Sequence, residues 1–216
     1  MLKDLTRLER LQIYISLFLR TTLIIAIWGA AWDNNWLLVF MSSAIFILTF
    51  LPSIVARNRK FVLPVELEFS AIVFIYAALF LGELRNYYDI YHWWDIMLHG
   101  FSSIILGFIG FVIIYTLHER NKIAASPIII AIFAFCFSMA IGAVWEIYEF
   151  VMDSFFQWNM QPGGLVDTMW DLIIDALGSL FIATVGYFYI RGRPSRIIRP
   201  MMRKIIEKNP HLIKKN

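Results

Sequence analysis

Residues 124–145 read AASPIIIAIFAFCFSMAIGAVW, an apolar run without a single charged side chain. An α-helix needs about 20 such residues to cross a hydrocarbon core of about 30 Å. The rest of the chain has the same character, because 60% of its 216 residues are apolar and only 16% are charged, against roughly 25% charged in an ordinary globular domain. The sequence therefore predicts an integral membrane protein.

Five further apolar runs extend this prediction to an all-α bundle of six transmembrane helices. The predicted spans are 11–32, 36–56, 63–83, 93–117, 124–152 and 169–190. The residues up to Arg10 do not resemble a cleavable signal, so the first run is kept as a helix. Connections are short, and Gln161-Pro162-Gly163-Gly164 predicts a turn in the last one. We therefore expect one transmembrane domain over residues 1–190, and the lone Cys136 excludes a disulfide framework.

Basic residues are distributed unequally between the two sides of the predicted bundle. Seventeen of the nineteen Lys and Arg residues fall on one side, Arg85 alone falls on the other, and Arg20 lies inside the first span. The positive-inside rule then places both termini in the cytoplasm. Residues 191–216 form a basic cytoplasmic tail, for which anionic lipid of the inner leaflet is a simpler partner than nucleic acid or a protein.

Ionisable residues inside membrane spans are costly and usually face a bundle interior or a watery cavity. Here seven of them recur on single helix faces: Asp95 and His99 in span four, Glu146 and Glu149 in span five, and Asp167, Asp171 and Asp175 around the start of span six. At 1.5 Å per residue, His99, Glu146 and Asp175 each lie about 9 Å inside the extracytoplasmic end of their span. We therefore expect three helices to bring them to a common plane.

So many carboxylates in a low dielectric need a compensating charge. A divalent cation supplies it, and imidazole with carboxylates suits zinc, manganese or iron. Shared protons, a basic substrate group or Arg85 are the alternatives. For a metal we predict these roles: His99, Asp171 and Asp175 as ligands, Glu146 as catalytic base, and Asp95, Glu149 and Asp167 as additional ligands or partners of the ligands.

Structural interpretations compete with these roles. Asp95 and Asp167 are also placed to cap helix starts, Glu149 to be wetted at the interface, and His99 to be a hydrogen-bonded core residue. For Arg20 we favour a side chain that snorkels to the cytoplasmic side over one that pairs with an acid. Glu66 and Glu68 follow Pro64 at a helix start and are interpreted as structural.

The segments Trp94-Asp95-x-x-x-His99, Trp145-Glu146-x-x-Glu149 and Asp167-Thr168-x-x-Asp171-x-x-x-Asp175-x-x-Gly178 resemble the YjdF-like family of bacterial inner-membrane proteins over about residues 60–190. That family has no known function. A looser similarity is to VanZ-like membrane proteins, some of which are linked to glycopeptide resistance. This chain departs from them at two positions, because it has Glu149 where we expect Gln and Asp175 where we expect Asn. The resemblance implies a bacterial plasma membrane location and a shared polar site.

Three functions are compatible with this pattern. The first is a metal site that opens outward and acts on a lipid or lipid-linked envelope molecule, with Glu146 as base. The second is a proton- or cation-coupled carrier of a small solute, against which the lack of an evident inverted repeat counts. The third is a non-catalytic accessory protein whose acids hold helices together.

Overall fold

The computed structural model describes residues 6–58, 61–157, 160–161 and 163–213. Within these residues the chain forms helices and no strand, which confirms the predicted all-α class. Some residues used in the sequence predictions lie outside the described residues, namely Lys3, Arg59, Lys60, Pro162, Lys214 and Lys215.

The described part of the chain contains a succession of α-helices joined by short connections. They are α1 (Arg7–Trp32), α2 (Trp36–Leu48), α3 (Leu51–Asn58), α4 (Val65–Ile75), α5 (Tyr87–Ile90), α6 (Trp94–Glu119), α7 (Pro127–Phe156), α8 (Leu165–Ile190) and α9 (Ile198–Lys208). A π-helix, Tyr76–Glu83, continues α4, and a 3₁₀ turn, Pro210–Leu212, follows α9.

Six segments of this succession are long and apolar enough to cross a membrane. They are Arg7–Trp32, Trp36–Arg57, Val65–Glu83, Trp94–Glu119, Pro127–Phe156 and Leu165–Ile190. Each coincides with one predicted span, so the six-span prediction is confirmed. The second segment combines α2 with α3, and the third combines α4 with the π-helix.

The connection between α7 and α8 is shorter than the sequence indicated. We predicted a loop from Asp153 to Thr168, but α7 continues to Phe156 and α8 already begins at Leu165. The break lies at Gln157 and Gly164, which have φ angles of 56° and 57°. The predicted turn is present at Gly164, whose N–H donates to the Gln161 carbonyl at 2.9 Å. Asp153 and Asp167 are therefore helical residues.

The chain divides into two compact units, Met1–Tyr91 and His92–Asn216, which are described separately. In the first unit α1 packs against α2 and α4, around a core of Leu23, Ile45 and Phe80. Arg85 lies over the Phe80 ring, 5.3 Å from its centroid. The expectation of one transmembrane domain stays a prediction.

The contacts of Arg20 contradict the snorkelling side chain that we favoured for this residue. Its Nε and Nη2 atoms donate to the hydroxyl and carbonyl oxygens of Thr49 at 3.1 and 2.8 Å, and its Nη2 lies 3.9 Å from Glu68 Oε1. Helix α2 ends at Leu48, so the Thr49 carbonyl is available to a donor from outside the helix. Arg20 therefore pairs inside its unit, and Glu68, in the first turn of α4 as predicted, is its acidic partner.

In the second unit α6, α7 and α8 each pack against the other two. Their approach is close, because a Cβ atom added to Gly107 would overlap Ile182 and one added to Gly110 would press on Phe137. Ser138 on α7 also donates to the carbonyl of Ser103 on α6 at 2.8 Å. These contacts fix the register of the three helices and bring the start of α6, the late part of α7 and the start of α8 to the same end.

Candidate metal centre

His99 lies at the centre of the polar cluster and receives carboxylates from three helices. Its Nε2 atom is 3.7 Å from Asp95 Oδ1 of α6 and 3.5 Å from Glu146 Oε1 of α7. Its Nδ1 atom is 3.3 Å from Asp175 Oδ2 of α8. The structure therefore brings together the three residues that we expected in one plane, and Asp95 with them.

Asp171 completes a group with the spacing of metal ligands. One oxygen of Asp95, one ring nitrogen of His99 and one oxygen of Asp171 all lie within 4.8 Å of one another. Two ligand atoms bound to one zinc ion at about 2.1 Å each are at most about 4.2 Å apart. Small side-chain movements would therefore let these three residues hold one ion, and imidazole with carboxylates fits zinc, manganese or iron.

Three atoms of the cluster are buried and lack a hydrogen bond. They are His99 Nδ1, Glu146 Oε1 and Asp175 Oδ2, on residues that are 6%, 4% and 2% exposed. His99 Nδ1 and Asp175 Oδ2 lie 3.3 Å apart, within the distance of an ion pair. Buried polar atoms of this kind cost free energy unless a charge or a donor satisfies them, so a further charged partner would stabilise the cluster.

Gln161 is a site residue that the sequence did not reveal. Its Nε2 atom donates to Glu146 Oε2 at 3.1 Å and to Thr168 Oγ1 at 2.8 Å. The Asp153 carboxylate in turn accepts from the backbone N–H groups of Met160 and Gln161 at 2.5 and 2.8 Å. We had interpreted Gln161 only as a turn residue. Its position in the connection between two acid-bearing helices was the available signal.

Gly142 was not singled out either, although it contacts the cluster directly. A Cβ atom at this position would overlap the Oδ2 and Cγ atoms of Asp175. The absence of a side chain therefore lets the Asp175 carboxylate lie against the backbone of α7. The acidic residues in the sequence gave no indication of this contact, because it depends on how α7 and α8 are rotated.

The remaining predicted site residues lie at the same end of the three helices. Asp95 is in the first turn of α6, but it is not the N-cap, which is Trp93 and has no side-chain cap bond. Its contact with His99 is therefore more specific than a role in capping the helix. Glu149 is buried, which does not fit a wetted interface residue. Asp167 is half-buried in the first turn of α8, after the N-cap Gly164. Glu149 and Asp167 do not belong to the three-residue group.

These observations define an integral membrane protein with six helices able to span the bilayer and a buried cluster of carboxylates around one histidine. The chain belongs to the family described as predicted membrane protein (DUF2238), which matches residues 14–192. This membership is consistent with the YjdF-like resemblance, whereas the similarity to VanZ-like proteins is not shown. A multi-pass membrane location follows, and the bacterial inner membrane stays a prediction.

One curated relative is a protein of Thermotoga maritima described as an uncharacterized protein. It is 31% identical over 129 residues, which are 59% of this chain and 64% of the relative. The match thus spans less than two thirds of the relative's length. No solved structure matches the chain.

Proposed function

We propose that this protein holds a divalent metal ion in the cluster around His99 and acts with it on a lipid or lipid-linked molecule at the extracytoplasmic face. The observation that carries the proposal is the set of buried atoms without a hydrogen bond on His99, Glu146 and Asp175. Carboxylates from three helices converge there on one imidazole. Bringing them together without a positive charge would be expensive in a membrane.

The two ring nitrogens of His99 support different roles for the carboxylates around them. A metal-ligating histidine usually directs its other ring N–H to a carboxylate or carbonyl. Asp175 lies beside Nδ1 and is suited to that orienting role. Asp95 lies on the Nε2 side and groups with Asp171. We therefore assign Asp95, His99 and Asp171 as ligands and Asp175 as the residue that orients His99, which exchanges the sequence-based roles of Asp95 and Asp175.

Glu146 is suited to act as general base. One of its oxygens is held by Gln161, and the other, Oε1, is buried without a hydrogen bond and lies 3.5 Å from His99 Nε2. A carboxylate fixed in this way has one oxygen free to take a proton from water or a substrate group. A bound divalent ion would supply Lewis acidity at the same place, by polarising a substrate oxygen or making a bound water more acidic.

A lipid-like substrate fits the surroundings of the cluster. Asp95 has a side chain that is 26% exposed, whereas those of His99, Glu146 and Asp175 are almost fully buried. Of these four side chains, Asp95 is therefore the one that a molecule outside the bundle can reach. Trp170, which precedes Asp171 in the chain, is a large exposed apolar side chain. A molecule with an apolar chain in the membrane and a polar group at the interface matches this combination of surfaces.

The packing beneath the cluster favours a site that opens to one side over a carrier. Ile182 and Phe111 are buried and press against the backbones of Gly107 and Gly186. Ile182 follows Asp175 by seven residues, or about 10 Å along the helix. A carrier would have to open this close-packed layer in every cycle, whereas an enzyme that works from one face leaves it closed.

Elemental analysis of the purified full chain tests the metal. The wild type is expected to carry zinc, manganese or iron near one equivalent, and chelator should lower its melting temperature. His99→Ala and Asp171→Asn should lose the ion, whereas Glu68→Gln, which removes an intramembrane carboxylate of the other unit, should retain it. A wild type without metal, with melting unaffected by chelator, would refute the proposal.

The proposed activity is tested separately, with a membrane lipid extract as the probe. The metal-loaded wild type should change at least one lipid species detected by mass spectrometry. Glu146→Gln should leave the extract unchanged while still binding metal, because it removes the base and not a ligand. Identical extracts after incubation with the wild type and Glu146→Gln would overturn the catalytic part of the proposal.

A further inference from the structure

A groove lies between the end of α8 and the basic surface of α9. It has a volume of about 700 Å³. Its lining consists of Tyr189 in the last turn of α8 and of Arg199, Pro200, Arg203, Ile206 and Glu207 on α9. The groove therefore combines two guanidinium groups and a phenol with an apolar wall.

The amphipathic character of α9 explains why its arginines are available. Ile198, Met202 and Ile205 recur with helical spacing and are fully buried, so the apolar face of α9 is already covered by protein. Arg199 and Arg203, one turn apart, remain exposed. Helix α9 thus presents basic side chains outward instead of an apolar face.

The charge in the groove favours an anion. Arg203 Nε lies 3.7 Å from Glu207 Oε1, an exposed ion pair within one helix. Two guanidinium groups and one carboxylate leave a net positive charge, with Arg199 beside the pair. Arginine matches phosphate oxygens particularly well, because its planar group donates two parallel hydrogen bonds.

The position of the groove indicates where such an anion would come from. Tyr189 follows Asp175 by fourteen residues, which is about 21 Å along α8. The groove therefore lies at the opposite end of this membrane helix from the metal cluster. Arg193, just beyond the end of α8, lies over the Phe188 ring, 4.8 Å from its centroid, as residues at a membrane interface commonly do. In a bilayer that α8 spans, this end of the helix lies at the level of the lipid head groups.

We propose that the groove binds the phosphate of one anionic phospholipid head group. Arg199 and Arg203 contact the phosphate oxygens, Tyr189 lies beside them in the lining, and Pro200 and Ile206 contact the glycerol and upper acyl chain. Basic pockets beside transmembrane helices on the cytoplasmic side are suited to such head groups. This is a defined lipid site, which differs from a diffuse electrostatic anchor of the tail, and it does not depend on the metal proposal.

Native mass spectrometry of the full chain, with phosphatidylglycerol, phosphatidylcholine and inorganic phosphate as separate probes, tests the site. We expect phosphatidylglycerol to bind the wild type at least tenfold more tightly than phosphatidylcholine. Arg199→Gln with Arg203→Gln should abolish that preference. The matched control, Arg191→Gln with Arg196→Gln, removes the same charge from exposed positions outside the groove lining and should keep phosphatidylglycerol binding within about twofold.

Three results would overturn the proposal. The first is a wild type that binds both lipids equally, a measurement that needs no variant to fold. The second is an equal loss in the two double variants, which would indicate a diffuse basic tail. The third is full competition by inorganic phosphate at low concentration, which would indicate a site for a free anion.

Discussion

The side-chain amide of Gln161 donates to the buried carboxylate of Glu146, with 3.1 Å between Nε2 and Oε2. Gln161 belongs to the segment that connects α7 and α8. It thereby fixes one oxygen of Glu146 and leaves the other oxygen near His99. Because Asp153 holds the backbone of Gln161 in turn, the geometry of Glu146 depends on both ends of this connection.

Replacing Gln161 by Leu should slow conversion of the lipid probe while leaving the metal bound, because Gln161 holds the base Glu146 and none of the assigned ligands. Glu146 Oε2 and Thr168 lose their donor, and a loss of this kind costs about 1–3 kcal/mol in a buried site. Each 1.4 kcal/mol is about tenfold in rate, so we expect roughly tenfold slower conversion with unchanged metal content. Gln157→Asn, an exposed substitution compatible with positive φ, is the control and should convert the probe normally. Wild-type conversion by Gln161→Leu would contradict the positioning role.

Gly142→Ala should destabilise the second unit. The added methyl group overlaps the Asp175 carboxylate, and overpacking of this kind costs about 1–3 kcal/mol. Thermal unfolding in detergent should show a lower melting temperature and reduced metal content. Gly29→Ala, whose added Cβ meets nothing within 4 Å, should be neutral or slightly stabilising as a helix-interior change. Equal melting temperatures for the two variants would show that Asp175 can move away from α7.

The sequence was informative wherever the argument depended on local periodicity. Apolar runs located the six spans, and the four-residue spacing of Asp95 and His99 placed both on one face of α6, where their side chains meet. The positions of Glu146 and Asp175 near helix ends were enough to predict that they approach His99, since three consecutive spans that alternate in direction align their ends.

Contacts that depend on helix rotation or on a broken helix were not readable. Residues four apart drift by about 40° around a helix, so the sequence could not decide whether Asp171 or Asp175 faces a given ring nitrogen of His99. Arg20 was assigned to the interface because its partner is a carbonyl at Thr49, which becomes available only where α2 ends. The contact of Gln161 with Glu146 was not predicted either, because a turn pattern does not specify where the side chain points.

Arg20→Met should destabilise the first unit. The substitution keeps a long apolar side chain but removes both hydrogen bonds to Thr49 and the ion pair with Glu68, at a cost of about 1–3 kcal/mol. Glu68→Gln should lower the stability less, because Glu68 is one-third exposed. The amide oxygen that replaces its carboxylate oxygen can still accept the hydrogen bond from Ser53. A double variant that loses only as much as Arg20→Met would confirm coupling between the two residues. Strict additivity would show that they act independently.

Reporter fusions test the orientation that the basic residues predict. Fusions after Asn35, Asp89 and Gly163 should report an extracytoplasmic location, and fusions after Lys60, Lys122 and Lys215 a cytoplasmic one. The physical reason is the retention of Lys and Arg on the cytoplasmic side during insertion. Reversed results at two of these positions would overturn the orientation, and with it the outward opening of the cluster.

The division of roles between Asp171 and Asp175 is decided by comparing their Asn variants. An amide is a poor substitute for a ligating carboxylate, so Asp171→Asn should abolish stoichiometric metal binding. Asp175→Asn keeps an oxygen that can accept from His99 Nδ1 and should weaken binding by 10–100-fold, as expected for a residue that orients a ligand. Both are measured by competition with a chromophoric chelator, with Glu68→Gln as the carboxylate control. If Asp175→Asn loses the ion as completely as Asp171→Asn, Asp175 is itself a ligand, as the sequence alone had suggested, and Nδ1 of His99 would be the nitrogen nearest the ion.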